Sequence, residues 1–163
     1  MRDLEGVVID MEGVLIDGAD ILRQSYTSCL TAYGVPFSEA DQRQYMGQTD
    51  RHIFNDLKSR FPNLITPLPM LAKARNDHYA RLLKTKAAAS PGVLQFIESI
   101  RAQGVPLGLA SFASKEQIEG LLQNLGISNA FKVVVSNEMV TRSKPNPDIY
   151  QLSIHYLKVK SDA

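Results

Sequence analysis

Apolar positions along this chain follow two patterns. Short unbroken runs appear at "GVVID" (6–10), "VPLGLAS" (105–111) and "KVVVS" (132–136). Runs of that length, rich in β-branched residues, predict strands buried on both faces, as in a parallel sheet. Pro106 marks the N-terminal edge of its strand. Between the runs, apolar residues recur every three or four positions, the period of an amphipathic helix. Ser90 and Pro91 read as N-cap and first position of a helix that closes at Gly104. Ser114 with Gln117 forms a capping box for a helix that stops at Gly126. Asn146 and Pro147 open a last helix running to about Leu157. Strands alternating with helices predict an α/β fold with an open parallel sheet and right-handed crossovers.

From Asp17 to Ala89 the strand pattern is absent. Helical stretches take its place at about 18–33, 38–46 (capped by Ser38), 49–60 (capped by Thr49) and 66–85 (begun by Thr66 and Pro67). The expected organisation is therefore an α/β core made of residues 1–17 and 89–163, interrupted by an all-helical cap subdomain at 18–88. Its hinges fall near Asp17–Gly18 and Ala88–Ser90.

Composition narrows the partners. The 163 residues are 44% hydrophobic, enough to bury a core, and 18 basic against 17 acidic side chains give a net charge of +1. The basic residues are scattered, so the footprint of a nucleic-acid binder is missing. No apolar run approaches the roughly 18 residues of a membrane span. Met1 leads directly into Arg2 and Asp3, and the lone Cys29 reads as a small core residue, so the expected compartment is the reducing cytoplasm.

In open parallel sheets, ligands bind beyond the carboxyl ends of the strands. The first strand ends in Asp10 and the second in Ser111, while the loop after the third delivers Lys144 in "SKPNPDIY". A carboxylate, a hydroxyl and an ammonium at one sheet edge suit phosphoryl transfer, in which a nucleophile attacks while fixed donors and cations hold the negative oxygens.

Those residues resemble a known family. "VVIDMEGVLID" (7–17) is similar to the first motif of the haloacid dehalogenase-like (HAD) hydrolases, a strand ending in Asp-x-Asp-Gly. "LGLASFAS" resembles their second motif and "SKPNPDIY" their lysine motif. Order, spacing and helical insert resemble the branch of β-phosphoglucomutase and small-metabolite phosphatases, with a Rossmann-like core. The resemblance implies that Asp10 is the nucleophile, forming an aspartyl-phosphate, and also a Mg²⁺ ligand. It places Glu12 at the general acid/base position, with its backbone carbonyl as second metal ligand. Ser111 would bond the phosphoryl group, and Lys144 would balance its charge.

Two departures qualify this expectation. Glu12 stands where the family has aspartate, and a carboxylate displaced by more than ~1 Å can cost about 10²-fold in rate. The family also continues past the last helix into another strand ending in acidic metal ligands. Here six residues follow Leu157, so the core reads as incomplete, its last strands missing. A truncated chain with weak or no activity is expected. The open edge left beside "GVVID" favours self-association.

The cap supplies candidate substrate contacts: Thr49, Arg51 and His52 in "MGQTDRHIF", and Lys73, Arg75 and Asn76 in "AKARNDHYARLL". The leading expectation is a Mg²⁺-dependent phosphatase of a small phosphorylated metabolite, a sugar phosphate among the candidates. A non-catalytic relative that binds a phosphorylated ligand or a partner is the alternative. A 2-haloacid dehalogenase and a phosphosugar mutase rank lower.

Overall fold

The computed structural model describes residues 4–46, 48–142, 144 and 146–159. Met1–Asp3, Gly47, Ser143, Pro145 and the tail from Lys160 lie outside the described residues. In chain order the elements are β1 (Val7–Asp10), α1 (Ala19–Thr31), α2 (Glu39–Gln44), α3 (Asp50–Arg60), α4 (Leu68–Lys86), α5 (Val93–Ala102), β2 (Leu107–Ala110), α6 (Lys115–Asn124), β3 (Val133–Val135) and α7 (Asp148–Leu157). A 3₁₀ turn spans Asn137–Met139. The chain divides into two compact units, residues 1–18 with 87–163 and residues 19–86. Among the described residues no helix is long and apolar enough to cross a membrane.

The α/β unit is built on a parallel sheet of order β1-β2-β3. Central β2 is buried along its whole length. The register aligns Val8 with Gly108 and Gly108 with Val133, and likewise Asp10 with Ala110 and Ala110 with Val135. Paired residues of parallel strands project to one face, so Val8, Asp10, Ala110, Val133 and Val135 share a face. That face meets α7, whose Ile149 packs with Ala110 and Val135. A methyl group added at Gly108 would stand 3.2 Å from Leu157 Cδ1 and 3.4 Å from Val8 Cγ2. A side chain there would press on the end of Leu157, so glycine eases the close packing of α7 on the central strand.

One boundary differs from expectation. The helix expected to start at Ser90–Pro91 starts at Val93, with Gly92 as its N-cap in the left-handed region at φ +80°. The Ser90 N–H is taken by the Leu15 carbonyl at 2.9 Å, and Ala89 pairs antiparallel with Ile16. Ser90 is tied into that ribbon, and Gly92 makes the turn, with no side-chain cap bond at the helix start. The last helix likewise begins one residue later, at Asp148, with Asn146 Oδ1 accepting its N–H at 3.3 Å. The Ser114–Gln117 capping box forms as the sequence predicts, with both reciprocal bonds present.

The helical unit has its own core. Tyr26 stacks on Phe37 with centroids 4.6 Å apart and tilts against Phe54, while Leu30, Leu57, Leu64 and Leu71 are buried around them. Cys29 is buried here, its thiol donating to the Leu71 carbonyl at 3.5 Å. Burial pushes that thiol's pKa up, which makes it an inert packing group.

Candidate active site

The tip of β1 passes into a tight ribbon. Gly13 N–H bonds the Ile16 carbonyl at 2.8 Å, and Ile16 N–H bonds that of Met11 at 3.0 Å. Gly13 sits at φ +78°, a conformation that costs a side-chain-bearing residue about 1–2 kcal/mol. This glycine therefore fixes the turn that presents Glu12. Met11, between the two acids, is fully buried and anchors the ribbon.

Asp10 receives two firm bonds. Met11 N–H donates to Oδ1 at 2.8 Å, and Lys144 Nζ donates to Oδ2 at 2.5 Å. The Tyr150 hydroxyl stands 3.5 Å from the same Oδ2. The Lys144 ammonium also lies 5.2 Å from the Tyr150 ring centroid and 5.8 Å from that of Phe112. Burial pulls the Lys144 pKa down, but hydrogen bonds and charge from Asp10 and Tyr150 outweigh it and hold the group above its ordinary 10.5. A permanent cation thus faces the strand-tip carboxylate at neutral pH. Arg142 clamps the approach to Lys144: Nε and Nη2 reach the two Asp148 oxygens at 2.8 and 2.7 Å, tying the loop to the first turn of α7.

Ser111 follows directly on β2 and is fully buried. Its N–H bonds the Val135 carbonyl at 3.0 Å, and its Oγ accepts the Ala113 N–H at 3.0 Å. The hydroxyl in turn donates to Glu12, with Oε2 at 3.2 Å and Oε1 at 3.5 Å. The four expected core residues thus form two contacting pairs at the carboxyl end of neighbouring strands, Lys144 with Asp10 and Ser111 with Glu12.

For Mg²⁺, the Asp10 carboxylate and a Glu12 carbonyl are hard oxygen donors of the right kind. Among the described residues no group of three or more His, Cys, Asp or Glu stands together to hold a metal. Two protein donors can suit Mg²⁺, because that ion commonly keeps several waters and takes substrate oxygens.

The residues offered as cap contacts separate. Thr49 Oγ1 accepts the His52 N–H at 3.3 Å and so caps α3, while Arg51, His52 and Asn76 are exposed. Lys73 pairs with Asp77 at 2.7 Å on the surface. Arg75 is engaged within the helical unit: it pairs with Asp50, which also accepts from the Tyr26 hydroxyl at 2.5 Å, and its guanidinium lies over the Tyr26 and Tyr79 rings. Arg75 therefore ties α4 to the start of α3 and to α1.

Three participants escape a reading of the sequence. Tyr150 and Phe112 look like ordinary apolar positions there, and the Arg142–Asp148 clamp leaves no periodic signal. "DIY" directly after the lysine motif was the available hint for Tyr150.

The haloacid dehalogenase-like hydrolase family matches residues 7–163. The chain belongs to this family. Like it is the phosphorylated carbohydrates phosphatase of Thermotoga maritima, 27% identical over 156 residues, 96% of this chain and 72% of that protein. The validoxylamine A 7'-phosphate phosphatase of Streptomyces hygroscopicus is 24% identical over 94% of this chain and 71% of its own length. Two solved structures share the HAD fold. CbbY from Rhodobacter sphaeroides, in complex with phosphate, superposes with a TM-score of 0.77 at 22% identity, covering 96% of this chain and 74% of its own. The β-phosphoglucomutase of Clostridium difficile gives 0.71 at 20% identity, over 96% and 72% respectively.

Proposed function

We propose that this HAD-family chain is a phosphatase of a small phosphorylated metabolite, with sugar phosphates the first class to test. The observation that carries the reading is the Lys144–Asp10 contact at the tip of β1, one strand away from Ser111. A strand-tip carboxylate beside a fixed cation is suited to nucleophilic attack on phosphorus. The named relatives are phosphatases of phosphorylated carbohydrates and of validoxylamine A 7'-phosphate, which supports a small phosphate ester as substrate.

In this reading an Asp10 oxygen attacks phosphorus, forming an aspartyl O–P bond as the ester O–P bond breaks. The departing alkoxide takes a proton from Glu12. A water deprotonated by Glu12 then cleaves the aspartyl-phosphate, releasing inorganic phosphate and restoring Asp10. Ser111 and Lys144 hold the phosphoryl oxygens, whose charge is greatest in the transition state. Mg²⁺, held by Asp10 and the Glu12 carbonyl, would neutralise further charge on those oxygens. Thr49, Arg51, His52 and Asn76 remain proposed substrate contacts of the helical unit. Arg75 is proposed with them less directly, through its hold on Asp50. A reducing compartment such as the cytoplasm accords with the unpaired Cys29.

Turnover by these 163 residues is expected to be slow, because Glu12 is a methylene longer than the aspartate of the family's acid/base position. The test is hydrolysis of p-nitrophenyl phosphate and a panel of sugar phosphates with Mg²⁺. Slow release that Asp10→Ala abolishes is the expected result. Release that survives Asp10→Ala overturns the nucleophile. No release at any Mg²⁺ concentration, together with inorganic phosphate binding that depends on Lys144, would instead establish the second reading, a non-catalytic phospho-ligand binder. The Glu12–Ser111 contact is the observation favouring that reading.

A further inference from the structure

A serine hydroxyl has a single proton to donate. In Ser111 the oxygen already accepts the Ala113 N–H at 3.0 Å, and the proton is directed to the Glu12 carboxylate, 3.2 Å away at Oε2. Ser111 has no surface open to solvent, whereas Glu12, which touches it, is exposed. The carboxylate therefore covers the hydroxyl and takes the bond that a phosphoryl oxygen would need. The extra methylene of glutamate is what provides that reach.

We infer that Glu12 is an internal stand-in for the bound phosphate: its carboxylate plugs the Ser111 donor, and an anion enters only when Glu12 swings away. The inference rests on the phosphate-site reading above. Two like charges cannot share one donor at this spacing, since each disfavours the other's ionised form. At 3.2 Å the bond is longer than a strong O–H···O⁻ bond, so the plug is a modest one that an incoming phosphate displaces at a cost in affinity. Glu12 thus sets how readily the site accepts any phosphate ester, before catalysis begins.

The test is calorimetric titration of the intact chain with inorganic phosphate in metal-free buffer, where turnover plays no part. Glu12→Ala is expected to bind phosphate roughly three- to tenfold more tightly than the native chain, the size of a freed hydrogen bond of ordinary strength. Glu12→Asp, with shorter reach, should lie between. Circular dichroism confirms that each variant is folded, which the exposure of Glu12 favours. In Glu12→Ala/Ser111→Ala the gain should disappear. A gain that persists in the double variant would overturn the plug, because it would reflect removal of a negative charge alone. Unchanged or weaker binding in Glu12→Ala overturns it too. The underlying reading fails separately: if Lys144→Ala and Ser111→Ala leave phosphate binding untouched, no phosphate site exists here. If both abolish it while Glu12→Ala equals the native chain, only the plug is lost.

Discussion

Lys144 reaches Asp10 across the faces of two aromatic rings, and the rings do different work from the Tyr150 hydroxyl. At 3.5 Å from Asp10 Oδ2 that hydroxyl is beyond the usual range of a strong O–H···O bond. The ring–ammonium distance of 5.2 Å is within the range of a cation–π contact, worth about 0.5–2 kcal/mol according to desolvation. The hydroxyl also bonds Lys144, so Tyr150→Phe should lower phosphate affinity by up to about threefold, while Tyr150→Ala, which loses the ring as well, should lower it by roughly three- to tenfold. Calorimetric titration of both variants checks the order; a larger loss in Tyr150→Phe would transfer the role to the hydroxyl. At this scale the sequence was informative where backbone position alone decides. Asp10, Ser111 and Lys144 follow strand tips or a recognisable loop, so their placement at one end of the sheet, with Lys144 against Asp10, could be read from apolar runs. Tyr150, Phe112 and the Ser111–Glu12 bond depend on which way side chains turn. Arg51 and Arg75 illustrate the same limit: both are basic residues on helices, and only packing sends one outward and ties the other to Asp50.

Helix ends obey local chemistry when their cap residues are free, and depart from it when the backbone is committed elsewhere. Ser38 and Ser114 cap α2 and α6 as their sequences predict, whereas Ser90 is drawn into the ribbon with Leu15 and yields the turn to Gly92. The α2 cap also carries a pH signature. Burial raises the Asp41 pKa, but bonds from the Ser38 hydroxyl and N–H, and from Arg60 at 3.1 Å, outweigh it and hold the carboxyl below its ordinary 3.8. A carboxyl depressed on folding contributes stability above its unfolded pKa, and that contribution is lost as pH falls through the folded value. Asp41→Asn should therefore destabilise the protein by about 1 kcal/mol at pH 7, the worth of a cap. The gap to the native chain should close between pH 4 and lower values. Urea unfolding at pH 7, 5, 4 and 3 measures it, and a gap that widens toward acid contradicts the assignment.

Among the described residues the sheet has two edge strands, β1 and β3, and β1 carries the proposed nucleophile. β1 pairs with β2 alone, in an order that leaves it at the margin. In a parallel pair alternate residues turn their N–H groups to opposite sides. The Val7 N–H bonds the Pro106 carbonyl on the β2 side, so those of Val8 and Asp10 face outward. "VVID" offers that edge no lysine, proline or bulge before Asp10, the devices that commonly blunt such strands. Leu4, just upstream, is 55% exposed and adds apolar surface. A second copy of the chain, pairing edge to edge, is the occupant we expect, with association that rises with concentration in sedimentation between about 1 and 100 μM. Leu4→Lys should weaken that association by like-charge repulsion while changing stability by less than about 0.5 kcal/mol, since an exposed side chain has little packing to lose. Because an edge-paired β1 would hold Asp10 and its ribbon more rigidly, the associated form should also bind inorganic phosphate differently from the monomer. A chain that stays monomeric across the whole range, with Leu4→Lys indistinguishable from it, would overturn edge pairing through β1.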